Sequence, residues 1–223
     1  MNLIEAKGIY KSFKSGQETI EVLKSINLEI KKSQMVALMG VSGSGKSTLL
    51  HILGLLSAPD SGEVIFSGSK IDFTSEENLA LFRNKHIGFV FQFYSLLGEL
   101  TILENIMLPS LIAKKSDKTK ALELLNLVGF PQNRANNYPS MLSGGQLQRI
   151  ALARALINSP DIVIADEPTA NLDKNSSIDI VKAMRSINKE NGQTFLIATH
   201  SSEVADYCDK VLVISGGQVS EKN

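Results

Sequence analysis

The chain has 223 residues, of which 43% are hydrophobic, and a chain of this length can bury about 70% of its unfolded surface in one domain. Lys and Arg total 23 and Asp and Glu total 23, so the net charge is zero. This balance gives no support to nonspecific nucleic-acid binding, which rests on a basic surface, and we expect no nucleic-acid partner.

The N-terminal residues and the most apolar segment show no targeting or membrane-spanning pattern. Residues 1–7 lack both the basic start and the long apolar run of a signal peptide. Residues 49–56 form the most apolar stretch, which is far shorter than the roughly 20 residues that span a bilayer. We therefore expect no direct membrane insertion, so that any connection to a membrane is made through a partner.

Strand patterns dominate the first part of the chain. They predict strands over residues 3–9, 21–30, 35–39, 63–68 and 87–91. An extended loop from Ser15 is expected between the first two. A short helix capped by Ser75 is expected to end near Lys85.

The middle of the chain has a helical pattern. It predicts helices over residues 101–108 and 117–128 and a third helix that starts near Gly144. We interpret this region as a helical subdomain, approximately residues 93–158, inserted into a single domain that spans residues 1–223.

Strands and helices alternate in the last part of the chain. Strands are predicted over residues 161–165, 194–199 and 210–215, and helices over residues 175–191 and 202–207. Alternation of apolar strands with helices predicts an α/β fold with a largely parallel sheet.

A phosphate-binding loop follows the apolar strand at residues 35–39, because the sequence GVSGSGKST matches G-x-x-x-x-G-K-[ST]. Its glycines let backbone N–H groups curl around phosphates, Lys46 supplies a flexible cation, and Ser47 is placed to bind Mg²⁺. The helix predicted after the loop adds its dipole to the anion site. The loop residues are Gly40, Val41, Ser42, Gly43, Ser44, Gly45, Lys46, Ser47 and Thr48.

Polar residues end two further apolar strands. Asp166 and Glu167 follow one strand, and His200 follows another. Since ligands of open α/β sheets lie beyond the carboxyl ends of strands, we expect Asp166 to hold Mg²⁺, Glu167 to act on the attacking water and His200 to contact the γ-phosphate. The alternative is that the two acids only cap the next turn.

A second candidate anion site opens the third predicted helix, at Ser143, Gly144, Gly145 and Gln146. One domain has no evident use for two γ-phosphate sites. A two-fold dimer can use both, because each nucleotide can lie between the phosphate loop of one copy and this segment of the other. The alternative is a simple serine cap on the helix.

In their order and spacing, these motifs resemble the nucleotide-binding subunits of ATP-binding cassette (ABC) transporters over essentially the whole chain. The resemblance implies a P-loop ATPase that binds ATP and Mg²⁺, with an N-terminal antiparallel β subdomain and an inserted helical subdomain on the mostly parallel sheet. It implies Walker A at residues 40–48, Walker B at 162–166 and the signature at 142–146, with Glu167 as catalytic glutamate and His200 as switch histidine.

The resemblance also implies three further ligand-binding residues. Gln92 matches the Q-loop glutamine, which senses Mg²⁺ and the membrane subunit, and Asp173 belongs to the D-loop. Phe13 matches the aromatic residue that stacks on adenine, with Tyr10 as the other candidate.

A narrower resemblance links residues 91–105 and Pro109 to ATPases of lipoprotein-releasing systems (LolD type) and macrolide exporters (MacB type), although Gly98 replaces the usual proline of LolD-like chains. It implies a homodimer that binds two ATP and drives membrane permease subunits from the cytoplasmic face of the inner membrane, with lipoprotein as the favoured cargo. The alternatives are drug or peptide efflux and a regulatory cell-division-type ATPase. A DNA-repair or chromosome-structure ATPase would need a coiled-coil insertion or a zinc site.

The segment after Gln92 contains more large apolar residues than one short connection can bury. We expect part of it to form the docking groove for a membrane subunit, while the alternative places most of it in the core. The residues concerned are Phe93, Tyr94, Leu96, Leu97, Leu100, Ile102 and Leu103.

Overall fold

The computed structural model describes residues 1–16 and 18–222. The strands are β1 (Asn2–Ser15), β2 (Glu18–Lys31), β3 (Met35–Met39), β4 (Ser61–Phe66), β5 (Ser69–Lys70), β6 (Ile87–Val90), β7 (Ile162–Asp166), β8 (Thr194–Thr199), β9 (Lys210–Ser215) and β10 (Gln218–Glu221). The α-helices are α1 (Lys46–Leu53), α2 (Glu76–His86), α3 (Ile102–Ile112), α4 (Lys118–Leu127), α5 (Gly144–Leu156), α6 (Lys174–Asn191) and α7 (Ser202–Ala205).

Within the described residues the strands form two sheets. The N-terminal sheet has the order β2-β1-β4-β5 and is antiparallel. The second sheet has the order β10-β9-β3-β8-β7-β6, with every pair parallel except β10 with β9. The predicted mostly parallel core and antiparallel N-terminal subdomain are confirmed.

Two hydrophobic cores share the parallel sheet, because successive strand residues point to opposite faces. Leu38 and Ile164 belong to the core that also contains α1 and the antiparallel sheet. Val163 and Phe195 belong to the core on the other face, under α3, α4, α5 and α6. All six residues of β8 are buried, which explains why this strand reads as a continuous apolar run.

The expectation of an extended loop from Ser15 is wrong. Strand β1 continues to Ser15, β2 begins at Glu18, and Ser15 pairs with Glu18 in an antiparallel ladder. Gln17 lies outside the described residues. Beyond the buried part of the hairpin the hydrophobic pattern stops, so it does not predict a strand there, but the two strands still satisfy each other's backbone hydrogen bonds.

Helix α3 is longer than the sequence predicts, because it passes through Pro109 to Ile112. A proline inside a helix removes one backbone donor and normally ends the pattern. The Pro109 carbonyl accepts hydrogen bonds from the Asn84 and Asn158 side-chain amides, at 3.0 and 3.2 Å. These tertiary contacts support the last turn of the helix.

Strand β10 is absent from the sequence-based prediction. Gly216 and Gly217 both have positive φ, 57° and 81°, and connect β9 to β10 in a tight hairpin. A Gly-Gly pair after an apolar strand is a known hairpin signal, so the sequence did contain the information.

Between β6 and β7 the described chain has helices and no strand, as predicted. Helices α3 and α4 pack on α5, and α5 packs on β6. The division of approximately residues 93–158 into a separate subdomain stays a prediction. Among the described helices, none combines the length and the apolar character that crossing a bilayer requires.

Candidate active site

Parallel pairing brings the carboxyl ends of β3, β7 and β8 to one edge of the sheet. Met39 pairs with Thr199 and Asp166 with Ala198, so the segments that follow these strands meet. They border a cleft of about 770 Å³. Its lining residues are Phe13, Val22, Val41, Ser42, Gly43, Gly45, Lys46, Ser47, Thr48, Gln92, Glu167, Ala170 and His200.

The loop between β3 and α1 has the backbone of a phosphate cradle. Gly43 and Gly45 have φ of 76° and 101°, a region that favours glycine. Lys46 is only 8% exposed, and its Nζ donates to the carbonyls of Gly40 and Val41 at 2.8 and 3.2 Å. The ammonium group is thus held inside the curve of the loop.

Glu167 lies between two cationic or potentially cationic side chains. Its Oε1 is 3.5 Å from Lys46 Nζ, and its Oε2 is 3.0 Å from His200 Nδ1. The Glu167 backbone has φ of 47°, which is rare for a residue with a side chain, and its N–H donates to the Ala198 carbonyl at 3.0 Å. Such strained residues concentrate at functional sites because surrounding contacts hold them there.

Oxygen ligands suitable for Mg²⁺ are present around the cleft. Asp166 Oδ1 is buried and has no hydrogen-bond partner, and a buried polar atom of this kind normally has one. Ser47 and Gln92 line the cleft. Among the described residues, no group of three His, Cys, Asp or Glu side chains could hold a metal ion alone. Mg²⁺ binds through one or two carboxylates together with substrate phosphates, and Asp166 supplies one such carboxylate.

Phe13 is the aromatic residue at the cleft, whereas Tyr10 does not line it. The Lys11 Nζ lies 5.7 Å from the centre of the Phe13 ring and 2.8 Å from Asp60 Oδ1. Asp60 Oδ2 also accepts from the Ser12 N–H and hydroxyl. Hydrogen bonds from Lys11 and Ser12 lower the pKa of Asp60 to about 2.

The second candidate anion site does not line this cleft, and neither does Asp173. Ser143 is the exposed N-cap of α5, and its N–H donates to Gln146 Oε1 at 3.1 Å. A Cβ on Gly144 would lie 2.7 Å from Tyr94 Oη, and one on Gly145 would lie 3.0 Å from Ser176. Asp173 caps α6 by accepting from the Ser176 N–H at 3.0 Å.

Five further residues of the cleft region depart from the sequence-based prediction. Asp166, Gly40 and Ser44 do not line the cleft, although Gly40 holds the lysine, and Asp166 Oδ1 and Ser44 Oγ are buried without a partner. Val22 and Ala170 do line it. The sequence offered no signal for Val22, because an apolar residue in a strand indicates packing before ligand contact.

The parallel sheet, the glycine loop around Lys46 and the acid at the end of β7 define a P-loop nucleotide-binding protein. Residues 23–170 match the ABC transporter family, and the chain belongs to that family.

Relatives agree with this assignment over nearly the full length. The chain is 46% identical to the lipoprotein-releasing system ATP-binding protein LolD 1 of Caulobacter vibrioides, covering 98% of this chain and 95% of the relative. It is 42% identical to an uncharacterized ABC transporter ATP-binding protein of Methanocaldococcus jannaschii, covering 98% of each. Among solved structures, the chain is similar to the ATP-binding cassette MJ0796 in a dimeric post-hydrolysis state bound to ADP and Pi. The two sequences are 38% identical, and the structures match with a TM-score of 0.91 over 99% of this chain and 98% of that one. The predicted ABC ATPase fold is confirmed.

Proposed function

We propose that this chain is the ATP-hydrolysing subunit of a lipoprotein-releasing ABC transporter. The observation that carries the proposal is the position of Glu167 between Lys46 and His200 at the phosphate loop. Several relatives at 41–46% identity are lipoprotein-releasing system ATP-binding proteins, which supports lipoprotein as the cargo.

Each side chain at the cleft has a chemical role in this proposal. Lys46 binds the β- and γ-phosphate oxygens, and its backbone neighbours donate N–H groups to them. Glu167 accepts a proton from the attacking water, and His200 contacts the γ-phosphate from the solvent side. Asp166, Ser47 and Gln92 would hold Mg²⁺, which neutralises charge on the phosphates when bound.

The active unit in this proposal is a homodimer that encloses two ATP. Ser143 is exposed, the two glycines after it are partly exposed, and none of the three lines the cleft of its own chain. A helix N-terminus that lies outside its own chain's cleft fits a partner's γ-phosphate. The dimeric state of the similar cassette bound to ADP and Pi supports this arrangement.

The proposed permease contact is an apolar groove of about 520 Å³ beside the segment after Gln92. Phe93 and Leu97 are 74% and 45% exposed, whereas Ile102 and Leu103 lie in the core at 0% and 8%. Phe93 and Leu97 do not line the groove themselves, but Ser95, which lies between them in the chain, does. Exposed apolar side chains of this kind mark interfaces. Docking there would place the chain at the cytoplasmic face of the inner membrane. The groove residues include Leu56, Phe89, Phe91, Leu108, Pro109 and Ile112.

Glu167→Gln tests the proposed chemistry. The variant keeps the shape of the side chain but loses the base, so we expect unchanged ATP affinity and turnover reduced by about 10²–10⁴. Undegraded ATP should then keep the dimer closed, which size-exclusion chromatography detects. Glu203→Gln, the same change at a surface ion pair with Lys174, is the control and should behave as wild type. Normal hydrolysis by a monomeric Glu167→Gln protein contradicts the proposal.

A further inference from the structure

The segment that joins β6 to α3 contains a strained turn directly after Gln92. Tyr94 and Ser95 are consecutive residues with φ of 60° and 51°. Residues with side chains rarely adopt this left-handed conformation, and two in succession need support from surrounding structure. The turn therefore depends on whatever binds its backbone.

Arg154 supplies that support from α5. Its two terminal nitrogens donate to the carbonyls of Tyr94, at 2.8 Å, and of Ser95. Burial lowers the pKa of the Arg154 guanidinium, and in the described part of the chain no carboxylate lies within ion-pair distance of it. A planar guanidinium with two parallel donors fits a pair of neighbouring carbonyls better than an ammonium group does.

The turn has structural links on both sides. On one side, the Gln92 carbonyl accepts from Asn171 Nδ2 at 3.2 Å, and Gln92 lines the nucleotide cleft. On the other side, Ser95 and Arg154 both line the apolar groove. The turn thus joins the cleft to the groove over a few residues, and Arg154 binds it at the groove end.

We propose that Arg154 is a positioning residue that holds the Tyr94–Ser95 turn in its left-handed form and so fixes Gln92 in the cleft. The change in ATPase rate that we expect from this role rests on the proposed function. Arg154 does not line the cleft, so its effect on Gln92 passes through the backbone of the turn.

Arg154→Met tests this role because it keeps the length of the side chain and removes both donors. The matched control is Arg149→Met on the same helix, since Arg149 donates to the Val128 carbonyl at 2.7 Å and pairs with Asp179. Three quantities are compared in both variants and in wild type: hydrogen exchange of the amides of residues 92–96, affinity for a fluorescent ATP analogue, and ATPase rate as a function of Mg²⁺ concentration.

In Arg154→Met we expect amide exchange in residues 92–96 to be at least about tenfold faster than in wild type. We also expect analogue affinity within about twofold, kcat about tenfold lower and a higher Mg²⁺ requirement, because only Gln92 is displaced. Arg149→Met should match wild type in all of these. Equal exchange and kinetics in the two variants would overturn the proposal.

Loss of ATPase activity in wild type and misfolding of a variant both differ from failure of the proposed role of Arg154. If wild type itself hydrolyses no ATP, the proposed function fails, while the exchange measurement still decides the role of Arg154. If Arg154→Met does not fold, Arg154→Lys replaces it, since lysine retains the charge but not the paired donors. Faster exchange in Arg154→Lys supports the proposal, and exchange equal to wild type overturns it.

Discussion

Asp60 does not line the cleft, but we expect it to influence Phe13, which does. Its carboxylate holds Lys11, and the Lys11 ammonium lies against the Phe13 ring. Replacing Asp60 with Asn leaves the Lys11 ammonium with the Ala58 carbonyl at 2.9 Å but without its ion pair, so the ring should be held less firmly. We expect a KM for ATP raised by about threefold with kcat unchanged, because only the predicted stacking of Phe13 on adenine is affected. Glu63→Asn, at the exposed ion pair with Lys70, is the control.

The lowered pKa of the Asp60 carboxylate predicts how the free energy of unfolding depends on pH. The folded-state pKa of Asp60 is about 2, below its ordinary value of 3.8, so the charged form is favoured by folding. Its contribution is present above about pH 4 and is lost as the pH falls towards 2. Urea unfolding should show Asp60→Asn less stable than wild type at pH 6, with the difference reduced to about a third at pH 2.5. A difference that grows on acidification would contradict this assignment.

Gly88 in β6 allows helix α5 to approach that strand closely. A Cβ on Gly88 would lie 2.3 Å from the Ala155 carbonyl oxygen, and both atoms belong to rigid elements. Gly88→Ala should therefore destabilise the fold by about 1–3 kcal/mol, the usual effect of overpacking. Gly98→Ala is the matched control, because its added Cβ meets nothing within 4 Å. Thermal unfolding of the two variants gives the comparison, and equal melting temperatures would contradict the packing argument.

Strands β3, β7 and β8 could be predicted because nearly all of their residues are buried, on both faces of the sheet, so that each reads as an apolar run. The phosphate loop and the polar residues after β7 and β8 could be predicted for a similar reason, since their spacing along the chain is itself the signal. The end of α3 could not be predicted from the sequence, because its last turn depends on Asn84 and Asn158, which are distant in sequence. Nor could the contact of Arg154 with Tyr94, which spans 60 residues.

At the scale of the whole molecule, the exposed apolar surface should bind the permease. Leu97→Glu places a charge on this surface, so we expect the isolated subunit to keep its melting temperature and basal ATPase while it no longer co-purifies with membrane subunits. Leu103→Glu is the core control and should lower the melting temperature sharply, because it buries a charge. Loss of folding in Leu97→Glu without selective loss of the partner would contradict the docking surface.

In the proposed homodimer two copies of the chain share each ATP site, and mixing two inactive variants distinguishes this arrangement from a site that one chain completes alone. Ser143→Arg blocks the helix N-terminus of one copy, and Lys46→Ala removes the phosphate-binding cation of the other. Each variant alone should be inactive. In a heterodimer, the intact loop of the first copy meets the intact helix N-terminus of the second, which restores one site.

An equal mixture should therefore recover roughly a quarter of the wild-type ATPase rate, since about half of the dimers are mixed and each has one of two sites. Recovery on mixing is the result that a shared site predicts. If heterodimers form and the mixture stays inactive, then each chain completes its own site and the account of the dimer is wrong.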